Sequence, residues 1–250
     1  KCQNILYAET FFSPSDYARH GLTPAGLTEA IYIGLQRVQG VDVKLIPDLV
    51  RINPPAKSME ILEEVAEMKS YSVIGVGLGG PEHEYPPEPF AAVFSRARKL
   101  GLHTTAHAGE AAGASSIWGA LNALQVERIG HAARAIDDQA LISYLKEKQV
   151  PLEMCPLSNI RTSVVQDYDM HPVKQFFDEG LLVTVNTDDP QMFNNSLAEE
   201  YRMLITHHSF SVQDVQQVIM NAARSAWLDE NEKTSLLAKL TNHPDWQVNN

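Results

Sequence analysis

The sequence predicts an α/β fold with a parallel sheet, and three observations support this class. Short apolar runs alternate with amphipathic stretches along most of the 250 residues. The apolar runs are rich in Val, Ile and Leu, as expected of parallel strands that are buried on both faces. Successive strand ends are separated by about 30 residues, close to one-eighth of a typical (β/α)8 barrel of roughly 250 residues.

Seven strands and nine longer helices are predicted along the chain. The strands are Asn4–Glu9, Val41–Asp48, Ser72–Leu78, Leu102–His107, Arg128–His131, Val150–Met154 and Leu182–Thr187. The helices are Pro24–Gln39, Pro55–Met68, Glu88–Leu100, Ser115–Leu124, Asp138–Lys148, His171–Glu179, Ser196–His208, Ser211–Leu228 and Asn231–Leu240. Helix starts are marked by Thr23-Pro24, Ser115 and Asp137-Asp138, and helix ends by Gly40, Gly101 and Gly180.

The alternation of strands and helices predicts right-handed crossovers within one sheet. Seven strands fit an open doubly wound sheet as well as a barrel that lacks one strand, so the strand count leaves both architectures open. No linker or low-complexity segment interrupts the pattern. We therefore expect residues 1–250 to form a single domain.

Composition excludes several classes of function. The chain is 44% hydrophobic and 20% charged, which indicates a globular core, and its net charge is −11. Such an acidic protein is a poor partner for nucleic acid or for an anionic membrane. No apolar run reaches the roughly 18 residues of a membrane span, and the first residues do not resemble a signal peptide. The two cysteines, Cys2 and Cys155, cannot form a disulfide framework, so we expect a reducing, cytoplasmic location.

Polar residues follow the carboxyl ends of the predicted strands. In order, they are Glu9, Asp48, Gly77–Glu82, His107–Glu110, Gly130-His131, Cys155–Asn159 and Thr187–Asp189. Ligands bind at this edge of the sheet both in barrels and in open α/β sheets. A helix cap explains one such strand end, but seven in succession favour a binding or catalytic site.

His107 and Glu110 form the sharpest candidate pair. A single histidine on an apolar strand is usually a hydrogen-bonded core residue. Here a small Ala-Gly turn brings a carboxylate back beside the histidine. Neutral imidazole suits zinc, and a carboxylate that is not a ligand can transfer protons.

Asp188 and Asp189 form a second candidate constellation, and His131 is a third. Adjacent carboxylates repel each other unless a cation or a substrate separates their roles. Asp-Asp-Pro also makes a good helix start, so capping and a functional site are about equally supported by these residues alone. For His131, a structural role and a functional role are similarly balanced.

Taken together, four segments resemble the adenosine deaminase family, within the amidohydrolase-type metal-dependent barrels. They are His-Ala-Gly-Glu, Gly-His, Cys-Pro-Leu-Ser-Asn and Thr-Asp-Asp-Pro, in this order, and the likeness runs from Tyr7 to about Ala226. Leu78–Glu82 also resembles the glycine loop of that family, which contacts the purine. The resemblance implies a (β/α)8 TIM barrel with additional C-terminal helices.

The resemblance also implies the roles of individual residues. His107 and Asp188 would be ligands of one Zn²⁺ ion, Glu110 the catalytic acid/base and His131 the residue that orients the attacking water. Asp189 would bind the imidazole nitrogen of the purine, and the backbone N–H of Gly80 another ring nitrogen. The implied reaction is hydrolytic deamination of a 6-aminopurine nucleoside or base, with release of ammonia.

Two departures from the family pattern affect these expectations. Members of the family carry a His-x-His pair on the first strand that supplies two further zinc ligands, and this sequence contains no such pair. We therefore expect the first strand to be missing from the chain and the metal site to be incomplete. Gly77 also stands where many members have aspartate, so the role of the glycine loop carries over less securely.

Alternative functions remain open at this point. One is deamination of a larger 6-aminopurine nucleoside such as aminodeoxyfutalosine, and another is a non-catalytic purine-binding protein without a complete metal site. A metal-dependent hydrolase of amides or esters would have no need of Asp189 or the glycine loop. An oxidoreductase is weakly supported, because Pro81 follows the glycine-rich run after the third strand at once. The nucleic-acid deaminase motif, His-x-Glu with Pro-Cys-x-x-Cys, is missing. The sequence does not indicate an oligomeric state.

Overall fold

The structure, a computed structural model, describes residues 3–247 and divides into two compact units, residues 1–129 and 130–250. In each unit, strands and helices alternate along the chain, which confirms the predicted α/β class. All seven predicted strands are present among the described residues; the strand Arg128–His131 has its predicted bounds, and the ends of the other six differ by up to three residues. A single domain over residues 1–250 stays a prediction.

The first unit is built on parallel strands in chain order. They are β1 (Tyr7–Phe12), β2 (Asp42–Val50), β3 (Gly75–Gly79), β4 (His103–Ala108) and the first half of β5 (Arg128–His131). In register, Tyr7 of β1 lies opposite Asp42, and Asp48 of β2 lies opposite Gly77. The Glu127 N–H donates to the carbonyl oxygen of Thr104 at 2.9 Å, so the chain entering β5 runs beside β4.

The helices of the first unit follow its strands. They are α1 (Pro24–Leu35), α2 (Pro55–Ala66), α3 (Ala91–Lys99) and α4 (Ala114–Gly119), which continues as a π-helix over Ala120–Leu124. Shorter 3₁₀ helices cover Pro14–His20, Lys69–Tyr71 and Glu88–Phe90. Thr23 caps α1 as predicted, because its hydroxyl accepts the N–H of Gly26 at 3.0 Å. Leu45, Leu62 and Phe94 are fully buried in the core of this unit.

The second unit holds the second half of β5, the parallel pair β6 (Leu152–Met154) and β7 (Val183–Val185), and most of the helices. These helices are α5 (Gln139–Lys148), α6 (Pro156–Arg161), α7 (Val173–Asp178), α8 (Pro190–Phe193), α9 (Leu197–His207), α10 (Val212–Ser225), α11 (Glu230–Thr241) and α12 (Pro244–Gln247). The 3₁₀ helices are Ala133–Asp137 and Tyr168–Met170. Leu145, Phe176 and Val218 are fully buried in its core.

The predicted first strand is displaced by three residues, and this changes the interpretation of Glu9. Asn4 has a φ of +55°, a left-handed conformation that cannot belong to a strand, so β1 starts only at Tyr7 and runs to Phe12. Glu9 therefore lies in the middle of β1 and not at a strand end. It accepts a hydrogen bond from the Arg128 guanidinium at 2.6 Å and one from the Tyr7 hydroxyl at 2.8 Å. Glu9 is thus part of an internal ion pair.

Asp48 also lies short of a strand end, because β2 continues through Val50. The structure adds two short helices, α6 and α8, which directly follow strands β6 and β7 in sequence and were not predicted. None of the described helices has the length and the apolar composition required to cross a membrane.

Candidate functional site

In the first unit, a buried carboxylate holds the turn that carries Glu110. Glu82 lies three residues beyond β3 and is only 4% exposed. Its Oε1 accepts the N–H of Gly109 at 2.5 Å, and its Oε2 accepts the N–H groups of the next three residues, Glu110 to Ala112, at 2.9 to 3.1 Å. Charge-assisted hydrogen bonds of this kind are strong. The backbone of Glu110 is therefore fixed from a segment 28 residues earlier.

The end of β4 is held by a buried arginine. Arg51 is 1% exposed, and it donates to the carbonyl oxygen of His107 at 2.5 Å and to that of Tyr85 at 2.9 Å. The ring of His107 meets the edge of the Phe11 ring, with centroids 5.8 Å apart. His107 and Glu110 are both half-buried. Arg51 holds the backbone at His107, and Glu82 holds the backbone at Glu110.

Asp48 explains why two glycines occur on β3. A Cβ atom on Gly77 would lie 2.3 Å from the Oδ1 of Asp48, and one on Gly79 would lie 2.0 Å from its Oδ2. At either distance the Asp48 side chain would have to move, so the glycines make room for this buried carboxylate. Gly77, where the resembled family often carries aspartate, is therefore covered by an acidic group from the neighbouring strand.

Gly80, the predicted purine contact, requires glycine for its backbone. Its φ is +96°, and a Cβ there would lie 3.3 Å from the backbone nitrogen of Arg51. The residue is exposed. The contact between its N–H and a purine stays a prediction.

Removing the Glu82 carboxylate is expected to destabilise the protein. Glu82→Ala leaves four backbone N–H groups without this acceptor, and we expect the free energy of unfolding to fall by about 3 kcal/mol. Urea unfolding followed by circular dichroism measures the change. Glu84→Ala is the matched control, because that side chain is 59% exposed, and we expect a change within about 0.5 kcal/mol. Equal effects of the two variants would contradict the holding role of Glu82.

In the second unit, the structure brings His131 and Asp188 together. The Nε2 of His131 lies 4.0 Å from the Oδ2 of Asp188, and the histidine side chain is 3% exposed. Both residues have left-handed backbones, with φ of +64° and +55°. A non-glycine residue in this region carries a strain of about 1 kcal/mol or more, and such strain is common at functional sites.

Three side chains of metal-ligating type lie close together at this place. One ligand atom each from His131, Cys155 and Asp188 lie within 4.8 Å of one another. Nitrogen, sulfur and carboxylate oxygen are the donors that zinc accepts in proteins. The Ser158 hydroxyl donates to the Oδ2 of Asp188 at 2.6 Å and so orients the carboxylate. The carboxylate of Asp188 and the thiol of Cys155 therefore suit a divalent metal such as zinc, and the ring of His131 lies beside them.

A chain of hydrogen bonds holds the Nδ1 side of the His131 ring, opposite the nitrogen that lies near Asp188. Its Nδ1 lies 3.2 Å from the Nδ2 of Asn159, and the Oδ1 of Asn159 lies 3.2 Å from the Nε2 of His171. Asn159 is fully buried and His171 is 4% exposed. Burial lowers the pKa of His171 to about 3, so the ring is neutral near pH 7.

Glu200 is a second buried titratable group in this unit. It is fully buried on α9 and accepts the N–H of Leu157 at 3.2 Å and an amide N–H of Asn195 at 2.7 Å. Burial raises the pKa of its carboxyl to about 7, against the opposing effect of these two donors. Because Leu157 belongs to the Cys155–Asn159 segment, Glu200 connects α9 to the site.

The raised pKa of Glu200 predicts a pH-dependent stability. Its contribution is fully present below pH 4.5, the unfolded value, and is lost as the pH rises to about 7. For Glu200→Gln, we expect the free energy of unfolding relative to the native chain to increase by about 3 kcal/mol between pH 4.5 and pH 8. Urea unfolding at several pH values measures this. Glu230→Gln, at a carboxylate that is 90% exposed, is the control and should change stability by less than about 0.5 kcal/mol throughout.

Asp189 lies at the N-terminus of α8, as the capping interpretation predicts, but its carboxylate does not cap the helix. The helix start rests on Pro190 and on the backbone, since the N–H of Phe193 donates to the carbonyl oxygen of Asp189 at 2.9 Å. Asp189 is exposed. Capping by the side chain therefore does not account for the second aspartate.

The predicted site residues are distributed over both units. His107, Glu110 and Gly80 lie in the first unit, and His131, Asp188 and Asp189 lie in the second. Sequence reasoning did not identify the supporting groups, which are Arg51, Glu82, Asn159, His171 and Glu200. Two of these, Glu82 and Asn159, stand in the segments that were singled out at strand ends, and that position was the available signal.

Comparison with known proteins gives concordant results. The sequence model of the family described as adenosine deaminase matches residues 1–243. An adenosine deaminase from Clostridium kluyveri is 36% identical over 237 residues, which cover 94% of this chain and 68% of the relative. The crystal structure of an adenine deaminase from Arthrobacter aurescens is similar with a TM-score of 0.88 and 32% identity, over 94% of this chain and 73% of the other.

A third similar protein was solved with a bound metal. An amidohydrolase from Burkholderia ambifaria, with bound Zn, has a TM-score of 0.88 and 28% identity, over 94% of this chain and 67% of the other. The likeness to these structures confirms the predicted fold of the TIM-barrel deaminase type, and the relatives confirm a deaminase of the hydrolase class. The chain belongs to the adenosine deaminase family.

Proposed function

We propose that the protein deaminates a 6-aminopurine nucleoside or base by hydrolysis, with one Zn²⁺ ion per complete site. The observation that carries this proposal is the pairing of the proposed water-orienting residue His131 with the proposed ligand Asp188, 4.0 Å apart, in a chain of this family. Relatives named adenosine deaminase and adenine deaminase support both a nucleoside and a free base as substrate. The reaction adds water at C6 of the purine, expels the amino group as ammonia and leaves the 6-oxopurine.

In this proposal, His107 and Asp188 are two of the metal ligands. Further ligands are needed to complete the set. When bound, the ion activates water for attack near neutral pH. Since a catalytic zinc has at least three protein ligands, His107 and Asp188 form an incomplete set. Cys155 is a further donor beside Asp188 in the second unit.

The chain's own residues carry the proton transfers and the orientation of the substrate. Glu110 protonates the purine ring nitrogen next to C6, and such transfer by a positioned carboxylate contributes about 10² to 10⁴ in rate. His131 donates a hydrogen bond that orients the attacking water. Asp189 accepts from the imidazole part of the purine, and the Gly80 N–H donates to another ring nitrogen.

A substrate panel tests the proposal. The zinc-supplemented protein is incubated with adenosine, 2′-deoxyadenosine, adenine and aminodeoxyfutalosine, and ammonia and the 6-oxopurine are measured together. We expect stoichiometric release of both from at least one compound. Tight binding of a purine without ammonia release would favour a non-catalytic purine-binding protein, and ammonia from a simple amide but not from purines would favour a different hydrolase.

A further inference from the structure

The hydrogen bonds that join His131 to Asn159 and His171 do more than orient the His131 ring. They also determine which ring nitrogen of His131 carries the proton. We propose that His171 and Asn159 are positioning residues that fix His131 as the tautomer protonated on Nε2, so that His131 acts as a hydrogen-bond donor and not as a metal ligand through that nitrogen. The catalytic significance rests on the proposed function, whereas the tautomer itself does not.

The chain starts from a donor of known direction. The backbone N–H of Val173, the first residue of α7, donates to the Nδ1 of His171 at 3.2 Å. A backbone N–H cannot accept, so Nδ1 of His171 must be the unprotonated nitrogen. Since burial keeps this ring neutral near pH 7, its single proton resides on Nε2.

The next step orients the Asn159 amide. The protonated Nε2 of His171 faces one atom of Asn159 at 3.2 Å, and only the carbonyl oxygen Oδ1 can accept from it. The other end of the amide, the Nδ2 group, then faces the Nδ1 of His131 at 3.2 Å. The direction of the Val173 N–H thus determines which end of the Asn159 amide faces each histidine, and the amide orientation does not have to be assumed.

The last step assigns His131. Because Nδ2 of Asn159 is a donor, the Nδ1 of His131 must accept and is unprotonated, so the proton of the ring resides on Nε2. That N–H lies on the side of Asp188, whose Oδ2 is 4.0 Å from Nε2. A metal ligand needs an unprotonated nitrogen, so this tautomer excludes ligation through Nε2 and leaves a donor for an attacking water or its developing negative charge.

The burial of the three side chains makes the reversed hydrogen-bond pattern energetically costly. Asn159 is fully buried, and His131 and His171 are 3% and 4% exposed. A reversed amide would place two donors face to face at His171, whose Nε2 proton is fixed by the Val173 N–H, and this is costly for buried groups. The left-handed backbone of His131, with φ of +64°, shows that its position is determined by the surrounding structure and not by local preference.

The tautomer can be measured without substrate or metal. Nitrogen-15 spectra of the full chain, labelled in histidine and treated with a chelator, distinguish protonated from unprotonated ring nitrogens. The resonances of His131 are assigned by their loss in His131→Gln. We expect an unprotonated Nδ1 and a protonated Nε2 in the native chain at pH 7.5. A protonated Nδ1 there would overturn the proposal, whether or not the protein deaminates any purine.

Variants of the two positioning residues provide a second test. Asn159→Asp replaces the Nδ2 donor by a carboxylate oxygen, which requires a proton on the Nδ1 of His131, so the nitrogen pattern of His131 should reverse or both nitrogens become protonated. His171→Gln retains an amide that can accept from Val173 and donate to Asn159, so we expect it to keep the native pattern. An unchanged pattern in Asn159→Asp would contradict the transmission through this amide.

Kinetics of the zinc-loaded protein separate positioning from packing. For Asn159→Asp, we expect kcat to fall about 10- to 100-fold with little change in KM, and for His171→Gln we expect most of the activity to remain. If Asn159→Asp does not fold, the spectrum of the native chain still decides the tautomer. If no purine is deaminated at all, the proposed function fails and the tautomer assignment is judged by the spectra alone.

Discussion

Replacing Glu110 by glutamine is expected to abolish ammonia release from the purine substrate while the zinc content per chain stays unchanged. Glutamine has nearly the same shape but cannot deliver a proton, and a positioned carboxylate contributes about 10² to 10⁴ in rate. The backbone at residue 110 remains held, because the acceptor for its N–H is the carboxylate of Glu82 at 3.0 Å. Turnover is measured by ammonia release, and zinc by elemental analysis of the same sample.

The control for this experiment is Glu84→Gln, an exposed carboxylate two residues beyond Glu82. It carries the same chemical change outside the proposed site, and we expect native turnover. Loss of zinc in Glu110→Gln would show that Glu110 is a ligand and not the acid/base. Retained turnover would remove it from the mechanism.

The strands were predictable because their apolar runs are continuous and flanked by turn residues. β5 was predicted at its observed bounds, Arg128–His131, and the helix starts at Thr23 and at Asp137-Asp138 are confirmed. The start at Ser115 is wrong, because α4 already begins at Ala114. The error at β1 has a local cause, the left-handed Asn4, which composition does not reveal. The six residues of α6 and the four of α8 are too short for a 3.6-residue period to be visible, so they were taken for loops.

The candidate site was predictable to a smaller extent. Chemistry-bearing residues at strand ends are visible in sequence, and His131 and Asp188 do lie together in the second unit. Their supports were not predictable, since Glu82 contacts a turn that begins 27 residues later and His171 bonds to Asn159 across 12 residues. Contacts at such separations leave no periodic pattern, and a lone buried carboxylate or histidine has no sequence signature of its own.

Gly77 departs from the residue that many members of the family carry, and the structure shows which group lies beside it. Asp48 supplies a buried carboxylate from the adjacent strand, with both oxygens lying where side chains of Gly77 and Gly79 would otherwise be. The pairing of Asp48 with Gly77 in the parallel register is what places them together.

The two adjacent aspartates offer the sharpest separation of metal binding from substrate binding. Asp188→Ala removes a carboxylate that lies with His131 and Cys155 and that accepts from Ser158, so we expect loss of both zinc and activity. Asp189→Asn changes the next residue, which is exposed and does not cap α8, so zinc should stay bound. If Asp189 accepts a hydrogen bond from the purine, its kcat/KM should fall about 10- to 100-fold, as for loss of one charged hydrogen bond.

The variants at Asp188 and Asp189 alter the same turn between β7 and α8. A general disturbance of this turn would affect zinc binding in both variants, so different zinc contents exclude it. Zinc content, urea unfolding and kcat/KM are measured on both proteins in parallel. Full zinc retention in Asp188→Ala would contradict its role as a ligand, and zinc loss in Asp189→Asn would transfer that role to the second aspartate. Since Asp188 has the left-handed backbone, with φ of +55°, and alanine tolerates this conformation less well, Asp188→Asn serves as the second variant. Asparagine keeps the backbone preference and removes the charge, so zinc loss in Asp188→Asn is attributable to the carboxylate itself.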